Sequence, residues 1–447
     1  MIVADTLRRD ALGVYGASPA ATPKLDSLAA QGVVFEDCIA QCSWTRPSMV
    51  SLFQGVHLPS YRDRPAEELS TLAEELSDEG YLCLASGANP LLGADVGFAR
   101  GFERYELRTR PPEVPEGVPL GGSWQEVWLA ADPGVRAAPS DAPLFIYLHL
   151  MEPHAPYELD PRWGQELALP DARPLSLRLL AKLKEQLGAD VADGGAWQEG
   201  LARIQAARHA YSHSVRSLDE GVGLIVDELR SLRPERPKIF LLASDHGEAL
   251  FDVLAPTQPR GDAVRDPEVA LYRDHGQILP EALIRVPLIV FGHGIPRGLR
   301  VKDSVQNLDL FPTLIELAGR DPAPTRDGRS LLPWSSARAA SALSFASVLH
   351  EHAVRDQASG LKPVLPTAVG RSAGRGPMLT SWVEDPAGLE DLSRTLPRER
   401  ELLEAELDSW SRRGAVSSSL RVSDPAVLRA LGYSGPGGDP LPPPGER

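Results

Sequence analysis

Five places along the chain carry side chains of the kind that act on esters. Asp5 ends an apolar opening segment in VADTLRRD, and Thr45 sits in SWTRPSMVSLFQG at the start of an expected helix. Asp245, His246, Gly247 and Glu248 directly follow the apolar run KIFLLAS. His275 lies in RDHGQ, and His154 lies in MEPHAPY just after PLFIYLHL. Two carboxylates, an imidazole and a hydroxyl form a mixed oxygen and nitrogen set suited to zinc, manganese, magnesium or calcium. A helix N-terminus presenting Thr45 adds N–H groups and a dipole that help hold an anionic ester. Each residue alone also has a structural use. An aspartate after a strand caps helices, Thr45 ahead of Pro47 fits helix initiation, and a lone histidine packs or lies on a surface. The adjacent Asp245 and His246 are a more specific signal because they close a very apolar strand. Spacing alone leaves the metal-site and structural readings both open.

These residues must be positioned by an alternation of strands and helices. MIVA (1–4), YLCLAS (81–86), PLFIYLHL (143–150), KIFLLAS (238–244) and VPLIVFG (286–292) read as buried strands. Near-continuous apolarity of this kind is expected of a parallel sheet covered on both faces. Between them, TPKLDSLAAQG carries a Thr22 cap, a proline at the first helical position and a closing glycine. SMVSLFQG, residues 198–232 and NLDLFPTLIELAG are further helices. The alternation predicts a doubly wound α/β domain with a mostly parallel sheet over residues 1–320, whose ligands gather at the carboxyl ends of the strands. A smaller α+β subdomain is expected over residues 321–435, after the linker RDPAPTRDGRSLLPW. FASVLHEHAVR and the region of MLTSWVEDP would form its antiparallel sheet. ELLEAELDSWSRR (401–413) would be an amphipathic helix with Leu402, Leu403 and Leu407 on one side. Residues 436–447 read as a disordered tail by composition.

The formal charge of −15 argues against a nucleic-acid partner, which demands a basic stripe. No apolar run approaches the roughly 20 residues needed to cross a bilayer, so no membrane segment is expected. No signal peptide is expected from these residues, and the opening directly into a strand leaves open an upstream segment that would carry any export signal or anchor. Localisation stays open. Cys38, Cys42 and Cys83 allow at most one disulfide and match no zinc spacing.

Taken in order, six segments resemble the successive blocks of sulfatase-like proteins in the alkaline phosphatase superfamily. They are VADTLRRDALGVYG, ATPKLDSLAAQGVVFEDCIAQCSWTRPSMVSLFQG, MEPHAPY, SDHGE, HGQILPEALIRVPLIV and NLDLFPTLIELAG. DGRSLLP (327–333), WVEDPAGLEDLS and LRALGY (428–433) resemble later blocks of the same family. The resemblance implies an alkaline phosphatase-like fold and a divalent metal held by Asp5, Asp245 and His246. Thr45 falls where the family has its nucleophile, which also coordinates the metal. His154 and His275 match histidines that line the site and handle the leaving group or the non-bridging oxygens. The implied cofactor is one divalent metal ion, calcium, manganese, zinc or magnesium.

True sulfatases carry Cys-x-Pro-Ser-Arg, whose cysteine becomes formylglycine, with a glycine ten residues further on. Here that glycine is Gly55, which places Thr45 at the cysteine position. Pro47 and Ser48 keep their places, and Met49 replaces the arginine. Cys42 has Arg46 four residues on, but Trp44 then occupies the proline position. Formylglycine is therefore not expected. A formylglycine hydrate expels sulfate by regenerating its aldehyde, and a threonine sulfate has no such exit. Threonine suits phosphoryl chemistry, through a phosphothreonine that water hydrolyses. Thr6 follows Asp5 where many sulfatases have a second aspartate, and Glu158 stands where a second metal's histidine would be. One metal is the expected count.

The expected function is a metal-dependent sulfatase-family hydrolase that cleaves phosphate mono- or diesters, in preference to sulfate esters, through a Thr45 covalent intermediate. Its substrate would be a small-molecule, glycan or lipid ester. One alternative is a phosphoryl-group transferase acting on lipid or glycan; another is a catalytically inactive binding protein with this fold.

Overall fold

The computed structural model describes residues 1–17, 21–59, 62–109, 121–157, 175–187, 195–256, 266–321, 326–334 and 343–413. The LRALGY block and the expected tail lie outside these residues. The strands in chain order begin with β1 (Ile2–Ala4), β2 (Gly32–Ile39), β3 (Leu82–Gly87), β4 (Arg104–Leu107), β5 (Leu144–Leu150) and β6 (Ile239–Ser244). A short pair, β7 (Val253–Leu254) and β8 (Leu271–Tyr272), precedes β9 (Arg285–Gly292) and β10 (Leu299–Gln306). The eight-stranded sheet has the order β10-β2-β9-β6-β1-β5-β3-β4, and β9 runs against its neighbours β6 and β2. A second, antiparallel sheet follows from β11 (Leu343–Ser347), β12 (Glu351–Asp356), β13 (Leu361–Pro366) and β14 (Met378–Ser381).

Helices α1 (Pro23–Ala29), α2 (Thr45–Gln54), α3 (Leu72–Asp78), α4 (Trp124–Ala137), α5 (Leu177–Leu187) and α6 (Gly195–Ser231) come first. They are followed by α7 (Pro267–Ala270), α8 (Glu281–Ile284), α9 (Leu310–Leu317), α10 (Ala368–Ser372) and α11 (Pro397–Arg412). Both faces of the main sheet are covered, which is why its strands read as continuous apolar runs. Ile2 and Ala4 of β1 pack with Leu25, Val127 and Val222, from α1, α4 and α6. Val3, pointing the other way, packs with Phe53, Leu72 and Phe311, from α2, α3 and α9. α2 ends on Gly55, whose φ of +64° is left-handed, and a Cβ there would stand 2.9 Å from the Phe311 Cβ. Glycine is the residue that meets both constraints. Among the described residues no helix is long and apolar enough to cross a membrane.

The doubly wound, mostly parallel sheet and the small C-terminal antiparallel sheet match the expected class, and all five apolar runs are strands. Several details differ. VPLIVFG is the antiparallel strand, because burial on both faces makes a strand apolar whatever its direction. Leu402 faces solvent at 62% exposure, and Trp410 completes the buried stripe with Leu403 and Leu407. Thr22 gives α1 no side-chain cap; its hydroxyl accepts from Gly13 N at 2.9 Å, while the Asp219 carboxylate accepts from Lys24 N and Leu25 N. Asp309 likewise accepts from Gln306 N and Arg329 N, tying the loop ahead of α9 to the segment after it. All three cysteines are free and buried.

The small sheet is fixed to the large one by a buried charge network. Arg355 of β12 reaches both oxygens of Asp37 on β2 at 3.1 Å and Glu281 of α8 at 3.1 Å. Lys362 of β13 pairs with Glu281 at 3.0 Å, and Arg285 pairs with Asp37 at 2.7 Å. Removing one partner strands the others without water, so Arg355→Met should lower the unfolding free energy by about 3–5 kcal/mol in a denaturant titration. Burial opposes the Asp37 charge, yet Arg355 and Arg285 bring its carboxyl down to about 2. Its contribution is therefore complete above the unfolded-state value of about 3.9 and is lost as pH falls toward 2. In Arg355→Met, the acid limb of the stability curve should flatten over that range.

Candidate active site

β1 and β6 pair with Ala4 opposite Ser244, so the next residue of each strand brings Asp5 beside Asp245 at the carboxyl edge of the sheet. β5 lies on the other side of β1, with His149 opposite Val3 and with Leu150 O accepting from Asp5 N at 2.9 Å. The chain turns sharply after Asp5 at Thr6, whose φ of 55° is left-handed. That turn is held by α6: the Tyr211 hydroxyl donates to Thr6 O at 2.8 Å and accepts from Arg8 N at 2.8 Å. On the other side, Thr6 N and Leu7 N donate to Asp245 Oδ1 and Ser244 Oγ.

α2 is buried along its whole length and points its N-terminus at this edge. Trp44, at its cap position, offers no side-chain acceptor, so the first-turn N–H groups have no cap from that residue. Ser48 Oγ donates to Asp245 O at 2.5 Å, pinning the helix to the end of β6. Thr45 Oγ1 consequently lies 3.2 Å from His246 Nε2. His246 Nε2 lies 3.4 Å from Asp245 Oδ2 and 3.9 Å from Asp5 Oδ1. Asp5, Thr45, Asp245 and His246 are all fully buried. The rings of His246 and His275 are 4.5 Å apart, and those of His275 and His154 are 5.1 Å apart. All six residues singled out in the sequence thus meet in one place.

Two neighbours were missed. Asn89 Nδ2 donates to Asp5 Oδ2 at 2.6 Å and to Thr45 Oγ1 at 3.3 Å. His149 Nε2 lies 3.2 Å from Asp5 Oδ2, and its Nδ1 lies 2.7 Å from the Tyr147 hydroxyl. Both sit at or just past the carboxyl ends of β3 and β5, and that rule of position could have found them. Arg46, beside Thr45, turns to the loop after β3, donating to Leu91 O at 2.7 Å and pairing with Asp63 at 3.6 Å. Cys42 packs among Ile39, Leu279, Leu283 and Ile284, and burial pushes its thiol up to about 12.

The electrostatics call for a cation. Burial opposes ionisation of both carboxylates. At Asp5 the His154 and His149 imidazoles outweigh it and hold the carboxyl low. At Asp245 burial and the Asp5 charge hold it above the usual range. Burial brings His246 down to about 4, which keeps it neutral and able to ligate. Asp5, Asp245 and His246 each offer a ligand atom, and these lie within 4.8 Å of one another. Asp5 Oδ1, Asp245 Oδ2 and His154 Nε2 are buried with no hydrogen-bond partner among the described residues. Oxygen and nitrogen donors orphaned in this way fit a divalent metal. Calcium, magnesium, manganese or zinc should therefore raise the melting temperature, by about 2.7 kcal/mol of added stability at a hundredfold excess over Kd. Asp245→Asn should remove most of that rise, and an equal rise in the variant would put the ion elsewhere.

Known proteins resemble this chain in sequence and in fold. Residues 1–320 match the sulfatase family model. The Delta 4,5-hexuronate-2-O-sulfatase of Bacteroides thetaiotaomicron is 23% identical over 364 residues, covering 74% of this chain and 70% of that protein. The iduronate 2-sulfatase of Mus musculus is 25% identical over 398 residues, covering 73% and 69%. Among solved structures, the phosphonate monoester hydrolase of Agrobacterium radiobacter superposes with a TM-score of 0.69 at 19% identity, covering 92% of this chain and 95% of that one. At that identity the likeness is one of fold. With the family match spanning the main sheet and every residue of the buried cluster, the chain belongs to the sulfatase family of hydrolases.

Proposed function

We propose that this sulfatase-family hydrolase cleaves phosphate mono- or diesters, in preference to sulfate esters, by way of a phosphothreonine at Thr45. The observation that carries the reading is the Thr45 hydroxyl at the N-terminus of α2, 3.2 Å from His246 Nε2 and bonded by Asn89. The relatives named above are sulfatases by name, and the departure from them rests on position 45. A threonine there has no aldehyde to regenerate, so a sulfate transferred to it would be trapped. Cys42, the nearby cysteine in sequence, lies in an apolar cluster with its thiol pushed up to about 12, which disfavours it as the modified residue.

Asp5, Asp245, His246 and Thr45 would hold the divalent metal, which supplies charge neutralisation for the ester oxygens and a lowered hydroxyl pKa. Asn89 orients the Thr45 hydroxyl by donating to its oxygen. The first-turn N–H groups of α2 face the same point and favour the anionic group. Thr45 Oγ attacks phosphorus as its proton passes to a neutral histidine, His154 or His275, the bond to the leaving oxygen breaks, and that histidine hands the proton on to the leaving oxygen. The same pair then takes a proton from water as it attacks the phosphothreonine and returns it to Thr45 Oγ as the P–Oγ bond breaks, releasing phosphate or its monoester and restoring the threonine. The buried surroundings strengthen each of these contacts by excluding bulk water.

Turnover of p-nitrophenyl phosphate, a p-nitrophenyl phosphodiester and p-nitrophenyl sulfate by metal-reconstituted protein tests the reading. Phosphoester cleavage should exceed sulfate cleavage and fall by at least about a thousandfold in Thr45→Ala. Sulfate turnover that survives Thr45→Ala and disappears in Cys42→Ala would contradict it.

A further inference from the structure

We propose, building on the role given to His275 above, that Glu248 is a positioning residue that fixes the tautomer and orientation of the His275 ring. Glu248 is 1% exposed, and its Oε1 lies 3.1 Å from His275 Nδ1. The two are brought face to face by an antiparallel run of backbone hydrogen bonds. Ala249 N donates to Asp274 O at 3.2 Å, Leu250 N to Arg273 O at 2.9 Å, and Phe251 N to Tyr272 O at 2.9 Å. The pairing of β7 with β8 continues this run away from the site. Glu248 and His275 are therefore opposite each other at its inner end.

This segment adopts a backbone that it would not hold alone. Leu250 and Phe251 have φ values of 45° and 65°, the left-handed region that branched and aromatic side chains avoid. Such residues persist where their surroundings over-determine them, and this happens preferentially at functional sites. Here two buried guanidinium groups do so. Arg8 Nη1 donates to the Glu248 and Ala249 carbonyls at 3.1 and 3.2 Å, and Arg8 pairs with Asp252 at 2.7 Å. Arg208 donates to Leu250 O at 2.6 Å and pairs with Asp252 at 2.9 Å. The Tyr272 hydroxyl donates to the His275 carbonyl, fixing the other side. Arg8 is only three residues past Asp5, so one clamp ties the turn that presents Asp5 to the turn that presents Glu248.

A neutral imidazole has one donating and one accepting nitrogen, and the partner of one decides the role of the other. Glu248 Oε1 faces Nδ1 at 3.1 Å. Burial raises its carboxyl to about 7, and above that pH the carboxylate only accepts, so Nδ1 is the donor and Nε2 falls to substrate or water. The neighbouring rings of His154 and His246 offer no such choice, because an imidazole can donate or accept.

The test is NMR of the His275 ring nitrogens in zinc-loaded, histidine-labelled full chain, assigned with His275→Gln. Above about pH 8, where Glu248 is ionised, a single tautomer protonated at Nδ1 is expected, replaced by a mixture in Glu248→Leu. Ester turnover should fall roughly 10- to 100-fold in kcat with little change in KM for Glu248→Leu, and Glu248→Gln should recover most of the loss. An unchanged tautomer or unchanged kcat in Glu248→Leu would overturn the role. If that variant does not fold, a proton at Nε2 of His275 in the wild-type chain overturns it equally. Absence of any ester turnover in the wild type would count against the phosphoesterase reading alone, since the tautomer is read without substrate.

Discussion

Asp5 and Asp245 place two carboxylates side by side in a region without solvent, because their strands pair in register at the centre of the main sheet. Two like charges at that separation in a poorly polarisable interior repel strongly, and burial alone would drive protons onto both. The surroundings answer with donors and imidazoles: Asn89 and His149 on Asp5, backbone N–H groups on Asp245, and the ring of His246 between them. One oxygen of each carboxylate is still left without a hydrogen bond among the described residues. A divalent cation satisfies that deficit, and the geometry of the site follows from the need to hold it.

Much of the remaining fold serves to keep these few atoms still. α2 is buried end to end, locked by Gly55 against Phe311 and by Ser48 against the end of β6, so the Thr45 hydroxyl is presented by a rigid element. The loops beyond β1 and β6 use left-handed residues at Thr6, Leu250 and Phe251, and Tyr211, Arg8 and Arg208 stabilise them from α6 and the first turn. Among the described residues, the small antiparallel sheet adds none to the buried Asp5, Asp245 and His246 cluster. Its Arg355 and Lys362 neutralise Asp37 and Glu281 behind the site, which fixes β2 and α8.

Asp5, His154, Asp245 and His246 were legible in the sequence because they follow apolar strands, where a parallel sheet exposes its ligands, and Thr45 and His275 through the family resemblance. Asp5, Thr45, His154, Asp245, His246 and His275 all converge, and the five apolar runs are strands. Asn89 was hidden because an amide carries no titratable signature, and His149 because it interrupts an apolar run that reads as core. β2 and β10 escaped notice for a different reason. Glu36 and Asp37 break the apolar pattern of β2, yet Asp37 is buried against Arg355 and Arg285, a pairing of residues far apart in the chain. β10 alternates charged with apolar residues because it lies at the edge of the sheet.

The central claim is that Thr45 becomes covalently modified during turnover. The direct measurement is mass spectrometry of protein quenched during reaction with a phosphoester, using His154→Ala and His275→Ala variants to slow release of the intermediate. The account predicts a phosphoryl increment on the peptide bearing Thr45, absent in Thr45→Ala and in protein without substrate, and cleared on standing in the wild type. Turnover with no increment at Thr45, or with an aldehyde found at Cys42, would contradict it.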